Sequence, residues 1–214
     1  MHTVDSLNNR FLPISGPHTE AIFSVDDDMR VSCEDLSLAY EAWAGSKMTI
    51  VGFMPRLHLR SSENHALLDY RCWWRVWWHG RYSIILTKAA IFNHLFLQLY
   101  SEQMPASIRT LVDEERNCED IAMQFLISNT TGIPPIYVKG SLQDLGALNG
   151  ISTSQNVLSA KHMGSRSDCL NILVKAYGRN PLVSSRIIVD SAANKWTNAP
   201  STWLEYISSD LWKF

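Results

Sequence analysis

The sequence has few charged residues and no internal repeat, and both features limit the class of protein that it can form. Charged residues make up 19% of the 214 residues, hydrophobic residues make up 46%, and no repeat or low-complexity segment occurs. This composition excludes intrinsic disorder and predicts one globular domain with a core of ordinary size. The 19 basic and 21 acidic residues leave a net charge of −2, so the overall charge favours neither nucleic acid nor an anionic membrane as a partner.

Long uninterrupted apolar runs are also absent. The first five residues are largely polar, and the longest apolar stretch, residues 82–100, is broken by Lys88, Asn93, His94 and Gln98. A signal peptide needs an apolar run near its start, and a membrane span needs about 20 apolar residues. We therefore expect no signal peptide or membrane anchor in this chain, and we interpret residues 82–100 as a strand followed by a helix.

Cysteine is scarce and widely spaced. No two of the four cysteines are close in sequence, which excludes the usual zinc-finger patterns. The residues alone leave open whether these cysteines are free thiols or form disulfides: Cys33, Cys72, Cys118 and Cys169.

An alternation of strand and helix signals predicts a single α/β domain. Short apolar and β-branched runs predict strands at residues 21–25, 48–54 and 134–138. Apolar residues at helical spacing predict helices at residues 33–44, 105–115, 118–128 and 168–177. Ser32 is the predicted N-cap of the first of these helices, and Gly178 is expected to close the last.

Three further segments have less regular patterns. The aromatic residues 70–86 predict strands or a hairpin with a break at His79-Gly80. Residues 89–100 have the apolar spacing of a helix. Residues 140–165 are rich in Gly, Ser and Asn, and they are predicted to form a long surface loop.

Three consecutive carboxylates, Asp26, Asp27 and Asp28, come directly after the first predicted strand. A buried strand that ends in carboxylates presents hard oxygen ligands at the rim of a sheet, which suits a divalent cation that holds a diphosphate. The alternative is an ordinary solvated turn that leads into the next element.

A second acidic segment runs from Asn117 to Asp120 and opens a predicted helix beside a cysteine. Together with the aspartate triplet, it suggests a metal-dependent transferase that uses a nucleotide-sugar donor. The structural alternative is a capping box, because Asn117 and Asp120 have its spacing.

Three other features also have two interpretations each. Arg166 is either a surface ion-pair partner or a phosphate ligand, and His162 is either a loop residue or a catalytic one. The four tryptophans within residues 73–78 either pack in the core or form a platform for sugar rings.

Five short segments occur in an order and at a spacing that resemble a known family. They are Phe23-Ser24-Val25-Asp26-Asp27-Asp28, Val51-Gly52-Phe53-Met54-Pro55-Arg56, Tyr82-Ser83-Ile84-Ile85-Leu86-Thr87, Asn117-Cys118-Glu119-Asp120-Ile121-Ala122-Met123 and Arg166-Ser167-Asp168-Cys169. The family is glycosyltransferase family 64, that of the exostosin and exostosin-like transferases. The tryptophan segment resembles its plant branch, and the resemblance extends from about Leu7 to about Trp196.

This resemblance implies a GT-A fold, with a mixed sheet flanked by helices. It implies a retaining transfer of a hexose or N-acetylhexosamine from a nucleotide sugar to a glycan or glycolipid acceptor. A divalent metal, usually Mn²⁺, would be held by Asp28. Asp26 and Asp27 would face the ribose and the sugar of the donor, and Asn9 with Arg10 matches a donor-contact segment.

The resemblance also assigns roles in the second half of the site. Asp120 matches a catalytic carboxylate beside the anomeric centre, and Arg166 matches an arginine near the leaving diphosphate. Asn117 and His162 would be donor-binding neighbours. A cation and an arginine stabilise charge on a leaving diphosphate, and a carboxylate stabilises a forming sugar cation. Cys118 and Cys169, which stand in the last two of these segments, match a disulfide of the family.

The chain also departs from the family, because only 25 residues precede Asp26. In the family, the metal motif lies in the middle of the catalytic domain. We therefore expect residues 1–196 to be the carboxy-terminal portion of that domain, without the first half of the sheet and most of the base-binding surface. Residues 197–214 would be a tail, and the chain as given is expected to be inactive.

The resemblance further implies a membrane-anchored, full-length parent in the lumen of the Golgi or endoplasmic reticulum. A sphingolipid such as a glycosylated inositol phosphoceramide is an implied acceptor, and association with another glycosyltransferase is an implied partnership. The alternatives are a non-catalytic fragment and a carbohydrate-binding or interaction module that uses the tryptophan cluster. Metal-dependent hydrolysis of the donor would distinguish the transferase from both.

Overall fold

The computed structural model describes residues 5–14, 16, 19–145 and 156–191, and for residues 156–163 it describes the backbone alone. A 3-10 helix, Leu7–Phe11, opens the described part. The α-helices are α1 (Cys33–Ala44), α2 (Trp73–His79), α3 (Leu95–Gln103), α4 (Ala106–Glu115), α5 (Glu119–Thr131) and α6 (Asn156–Tyr177). The strands are β1 (Ala21–Val25), β2 (Met29–Arg30), β3 (Val51–Gly52), β4 (Pro55–Arg60), β5 (Leu68–Arg71), β6 (Ile84–Ile85), β7 (Ala89–Asn93), β8 (Ile136–Lys139), β9 (Gln143–Asp144) and β10 (Ile188–Asp190).

A mixed sheet of five strands lies at the centre of the described part, in the order β1-β7-β3-β8-β10. Strand β7 runs antiparallel to both of its neighbours, whereas β3, β8 and β10 run parallel to one another. Helices cover both faces of this sheet. The chain is therefore a mixed α/β protein, as the sequence predicts.

Strand β7 shows how the sheet separates two layers of core. Ala89 and Ile91 lie in the cluster that contains Trp43 of α1. Ala90 and Phe92 lie in the larger cluster, which contains residues of α3, α5 and α6. Successive side chains of a strand point to opposite faces, so a strand buried on both sides consists of apolar residues without polar alternation.

Two smaller antiparallel sheets extend the central one. Strand β4 lies between β5 and β6, and it aligns His58 with Tyr70. Strand β2 pairs with β9, so that residues 143 and 144 lie beside the end of the aspartate triplet. The pairing of β2 with β9 brings a distant part of the chain next to the carboxylates.

Most of the predicted elements are confirmed. Strands β1 and β8 and helices α1, α4 and α5 occupy the predicted segments. Ser32 caps α1 by accepting a hydrogen bond from the backbone N–H of Asp35 at 3.1 Å. Gly178 follows α6 with a φ of 69°, a left-handed conformation that glycine adopts without steric cost.

The prediction of strands or a hairpin for residues 70–86 is wrong in its middle, where α2 lies between β5 and β6. Strand propensity of aromatic residues reflects packing on a half-buried pleated surface. Only Val76 of this helix is buried, and the packing that favours a strand is therefore missing here. Gly80 ends the helix with a φ of 58° at the predicted break.

Three other predictions need correction. The helix predicted from residue 89 begins only at Leu95, because residues 89–93 are enclosed between β1 and β3 as strand β7. The loop predicted for residues 140–165 contains β9 and, from Asn156, the start of α6. Of the strand predicted for 48–54, only Val51–Gly52 forms, and Pro55 begins a strand of its own. Proline is tolerated as the first residue of a strand.

Candidate functional site

The aspartate triplet lies in a tight turn between β1 and β2. The backbone N–H of Asp26 donates to the carbonyl of Lys88 at 3.0 Å, and that of Met29 donates to the carbonyl of Asp26 at 3.1 Å. These bonds fix the turn to the end of β7. Asp26 and Asp28 are half-buried, whereas Asp27 is exposed.

The 3-10 helix holds Arg10 over this turn. Arg10 forms an ion pair with Asp26, and its guanidinium also lies 3.7 Å from a carboxylate oxygen of Glu119. Phe11 anchors the helix by packing against the ring of Tyr100 at 4.9 Å. Burial raises the pKa of Asp26, and the nearby Arg10 opposes that rise. Arg10 thus links the aspartate turn to the start of α5.

The carboxylate of Asp28 is placed so that it could bind a metal ion. Its Oδ1 atom is buried and has no hydrogen-bond partner among the described residues. No group of three or more His, Cys, Asp or Glu side chains in the described part of the chain has the geometry to hold a metal alone. A cation that takes most of its ligands from a diphosphate and from water needs only one or two carboxylates from the protein. The residues present therefore fit such a cation.

The capping-box alternative for Asn117 and Asp120 is wrong. The N-cap residue of α5 is Cys118, with a φ of 76° and no capping hydrogen bond from its side chain. The Asn117 Oδ1 atom accepts from the N–H of Cys118 at 2.8 Å, and the Asp120 Oδ1 atom accepts from the N–H of Ile121 at 2.7 Å. The second carboxylate oxygen of Asp120 therefore remains available for another partner.

That partner is Arg166 of α6. Its guanidinium donates to the Asp120 Oδ2 atom at 3.0 Å and to the hydroxyl of Tyr70 at 2.9 Å, and it lies 5.2 Å from the centre of the Tyr70 ring. The side chains of Asp120 and Arg166 are only 5% and 11% exposed. Burial opposes the charge of Arg166, but Asp120 and Tyr70 outweigh it and raise its pKa. The guanidinium of Arg166 therefore keeps its positive charge inside the protein.

A disulfide between Cys118 and Cys169 joins the two helices that carry this pair. The bond is the one that the family resemblance implies. Cys118 lies two residues before Asp120, and Cys169 lies three residues after Arg166. Because the covalent link is close to both charged groups, it restrains their separation.

Two residues that the sequence analysis did not assign also belong to the site. Glu119 is buried, and burial together with the carboxylate of Asp120 raises its pKa from 4.5 to about 7. Its position within the Asn-Cys-Glu-Asp segment was the sequence signal that could have identified it as a site residue. Tyr70 lies in an aromatic stretch without a functional pattern, so only the structure identifies it.

The remaining predicted residues are less closely engaged. Asp27 forms no ion pair within the described part of the chain. Asn9 is half-buried in the 3-10 helix next to Arg10. His162 lies in α6 rather than in a loop, and its side chain is outside the described residues. Asp120 and Arg166, by contrast, touch directly.

The candidate site thus consists of a carboxylate turn, a buried acid–arginine pair and a disulfide that joins the two helices of that pair. Comparison with known proteins shows the family. Residues 1–194 match the family model of the glycosyl transferase family 64 domain. The chain belongs to glycosyltransferase family 64. One relative is glycosylinositol phosphorylceramide mannosyl transferase 1 of Arabidopsis thaliana. It is 42% identical over 194 residues, which make up 90% of this family 64 chain and 56% of that protein.

Two animal members of family 64 are also similar. Exostosin-2 of Homo sapiens is 35% identical over 183 residues, 83% of this chain and 24% of that protein. Exostosin-1 of Mus musculus is 32% identical over 185 residues, 86% of this chain and 24% of that protein. The chain thus spans about half of the plant relative and about a quarter of the exostosins. Among the helices that the structure describes, none has the length and hydropathy of a membrane-spanning segment.

Proposed function

We propose that this family 64 chain contributes the catalytic portion of a retaining, metal-dependent glycosyltransferase. The donor is a nucleotide sugar that carries a hexose or an N-acetylhexosamine, and the acceptor is a glycan or a glycolipid. The observation that carries the proposal is the buried pair of Asp120 and Arg166, tied to the aspartate turn through Glu119 and Arg10. A buried ion pair costs desolvation energy and is weak evidence of a purely stabilising role. A need for both charges at a reacting centre accounts for it better.

The donor's diphosphate is expected to lie between the aspartate turn and α6. Mn²⁺, when bound, would act as a Lewis acid on the diphosphate. Asp28 would hold the metal with its unpartnered carboxylate oxygen. Asp26 and Asp27 would contact the ribose and the sugar, with Arg10 keeping Asp26 in position. Asn9, Asn117 and His162 complete the proposed donor-binding set.

Asp120 and Arg166 have complementary parts in the transfer. The guanidinium of Arg166 stabilises the negative charge of the departing diphosphate, as a fixed donor in a water-poor site does. The carboxylate of Asp120 stabilises positive charge on the anomeric carbon. Tyr70 holds the guanidinium through its hydroxyl, so the arginine keeps its orientation when the substrate competes for it.

The proposed acceptor is supported by the plant relative, and the proposed compartment is supported by the disulfide. Similarity to a glycosylinositol phosphorylceramide mannosyl transferase favours mannose as the sugar and a glycosylated inositol phosphoceramide as the acceptor. A disulfide persists in oxidising compartments, which supports the lumen of the Golgi or endoplasmic reticulum. We also propose that this chain associates with another glycosyltransferase.

We also propose that residues 1–214 alone do not transfer sugar, because their 194 matched residues cover only 56% of the plant relative. A second candidate function, a carbohydrate-binding module, is favoured by one observation. The tryptophans of α2 are exposed rather than packed in the core.

Calorimetric titration tests the proposal against this alternative. A chimera joins the non-matching part of the plant relative to residues 1–194, and it is titrated with GDP-mannose and with UDP-N-acetylglucosamine, with and without Mn²⁺. The proposal expects donor binding that requires Mn²⁺ and that is lost in Arg166→Gln. Binding of free glycans without metal, together with no donor binding, would favour the module.

A further inference from the structure

Helix α2 presents an unusual concentration of exposed aromatic surface. Its four tryptophans are each about half exposed or more, with accessible fractions of 54, 46, 62 and 71% for Trp73, Trp74, Trp77 and Trp78. Val76 is the one buried residue of the helix. Because large apolar side chains are costly to expose to water, this cluster of tryptophans is a candidate interaction surface.

The spacing of the four tryptophans puts them on one side of the helix. Positions i, i+1, i+4 and i+5 occupy a continuous stripe of an α-helix, because four residues complete a little more than one turn. Val76 lies outside this stripe and is buried, and α2 packs against β4. The helix is therefore amphipathic, with its tryptophan stripe facing away from the core.

The ring geometry is unsuited to a flat sugar platform. The rings of Trp77 and Trp78 have centroids 6.4 Å apart and are tilted by 55° to each other. The guanidinium of Arg75 covers the ring of Trp74 at 4.2 Å from its centroid. A flat platform for several sugar rings needs open, roughly coplanar aromatic faces, which Trp77 and Trp78 do not provide. Exposed tryptophan rings, each with a polar N–H, suit the headgroup layer of a bilayer.

The stretch of sequence that contains the helix carries charge of one sign. No acidic residue occurs between Asp69 and Glu102, while Arg75 and Arg81 lie within the helix and just after it. Neither arginine takes part in an ion pair among the described residues. A tryptophan stripe edged by unpaired arginines is complementary to anionic lipid headgroups, whatever the net charge of the chain.

We propose that α2 is an interfacial anchor, which inserts its tryptophans into the headgroup region of a membrane that contains anionic lipid. Strand β5, which carries Tyr70 of the candidate site, ends two residues before α2 begins. The proposed anchor is therefore close in sequence to Tyr70, whose hydroxyl accepts a hydrogen bond from Arg166. The inference stands on exposure, ring geometry and charge, and it does not depend on the proposed transferase activity.

Vesicle flotation with the full chain of 214 residues tests this anchor. The probes are phosphatidylcholine vesicles with and without phosphatidylserine, and tryptophan fluorescence reports insertion. We expect stronger flotation with phosphatidylserine, a blue shift of the emission, and loss of the preference at high salt. The double variant Trp77→Ala/Trp78→Ala should bind at least about tenfold more weakly, because two large apolar groups no longer insert. Arg75→Gln/Arg81→Gln should lose most of the preference for phosphatidylserine.

The matched control is Tyr40→Ala, which removes another exposed aromatic side chain from α1. It should bind vesicles as the unchanged chain does. Circular dichroism and size-exclusion profiles of all variants verify the fold. No flotation of the unchanged chain, or equal flotation of the tryptophan variant, would overturn the proposal. So would tryptophan-dependent binding to a soluble glycan or tryptophan-dependent self-association without any vesicle binding.

Discussion

Glu119 is the residue at which burial and charge conflict most directly. Its carboxylate lies next to that of Asp120 in the first turn of α5, and Arg10 reaches it only at 3.7 Å. Burial and the neighbouring carboxylate therefore raise its pKa to about 7, although Arg166 and Arg10 oppose the rise. A glutamate that titrates near neutral pH beside a candidate catalytic pair is a functional candidate in its own right.

Replacement of Glu119 should change how stability depends on pH. Since the folded state holds this proton more tightly than the unfolded state does, the contribution is most favourable below about pH 4.5 and is lost as the pH rises through about 7. Glu119→Gln should remove this loss and raise the free energy of unfolding at pH 8, on the order of 2 kcal/mol. Urea unfolding at pH 5 and pH 8 measures it. The exposed Glu114→Gln is the control and should show no such difference.

Asp120 should matter for stability more than a capping residue does. Asp120→Asn leaves the buried guanidinium of Arg166 without its counter-charge, which typically costs about 3–5 kcal/mol, whereas loss of a cap costs about 1 kcal/mol. Chemical denaturation of the variant, compared with the exposed Asp27→Asn, measures this cost. In an active chimera with the plant relative, Asp120→Asn should also lower turnover by orders of magnitude. Near-normal turnover would refute the catalytic assignment.

Asp28 should control metal-dependent donor binding. Asp28→Asn removes a charged oxygen ligand from a hard cation, so Mn²⁺-dependent binding of the donor should become undetectable in the same chimera. Calorimetric titration with donor and Mn²⁺ is the measurement. Glu63→Gln removes one charge from an exposed turn and should leave the affinity as it was. Unchanged affinity in Asp28→Asn would show that the metal is held elsewhere.

At the scale of elements, the candidate site depends on the disulfide-linked contact between α5 and α6. The disulfide joins residues separated by 51 positions, and the ion pair of Asp120 and Arg166 lies beside it. One bond therefore fixes both the packing of the helices and the geometry of the charges.

Removal of this disulfide should destabilise the chain. Cys118→Ser/Cys169→Ser frees a long loop in the unfolded state, and the free energy of unfolding should fall by about 2–4 kcal/mol. Denaturant unfolding of protein made under oxidising conditions measures the change. The chain provides its own control in Cys33→Ser/Cys72→Ser, since both of these cysteines are free. If the two double variants are equally stable, the disulfide contributes nothing.

At the scale of the whole molecule, one edge of the central sheet is open in the described part of the chain. Strand β1 pairs only with β7 there, and a cavity of about 600 Å³ lies beside it, lined largely by apolar residues that include Ala21, Phe23 and Leu36. An unpaired strand next to apolar surface favours association with another polypeptide.

Sugar transfer should therefore need more than residues 1–214. We expect no transfer from uridine- or guanosine-linked sugars by this chain with Mn²⁺, and transfer by the chimera with the plant relative, because positioning of the whole donor is required. Radiolabelled transfer assays and light scattering on both proteins test this. Turnover by a monodisperse preparation of the chain alone would contradict the expectation.

Candidate site residues could be named from the sequence because they stand in short, ordered segments. Asp26, Asp28, Asp120 and Arg166 were all candidates, and the predicted family is confirmed by the family model that matches residues 1–194. Local capping chemistry also identified the start of α1 at Ser32. By contrast, β7 and α2 were predicted as the wrong type of element, because a run of apolar residues takes the structure that its neighbours can pack against.

The sequence by itself determined the family, the α/β class and the residues that could carry charge at the site. Only the tertiary structure decided which charges meet. The pairing of Arg166 with Asp120 and Tyr70 spans 46 and 96 positions of sequence, and the raised pKa of Glu119 arises from burial that no local pattern encodes. The exposure of the tryptophan stripe of α2 was likewise a tertiary outcome, since Val76 alone fits the core. Desolvation and long-range contact exist only once the chain has folded, so their consequences are read from the structure.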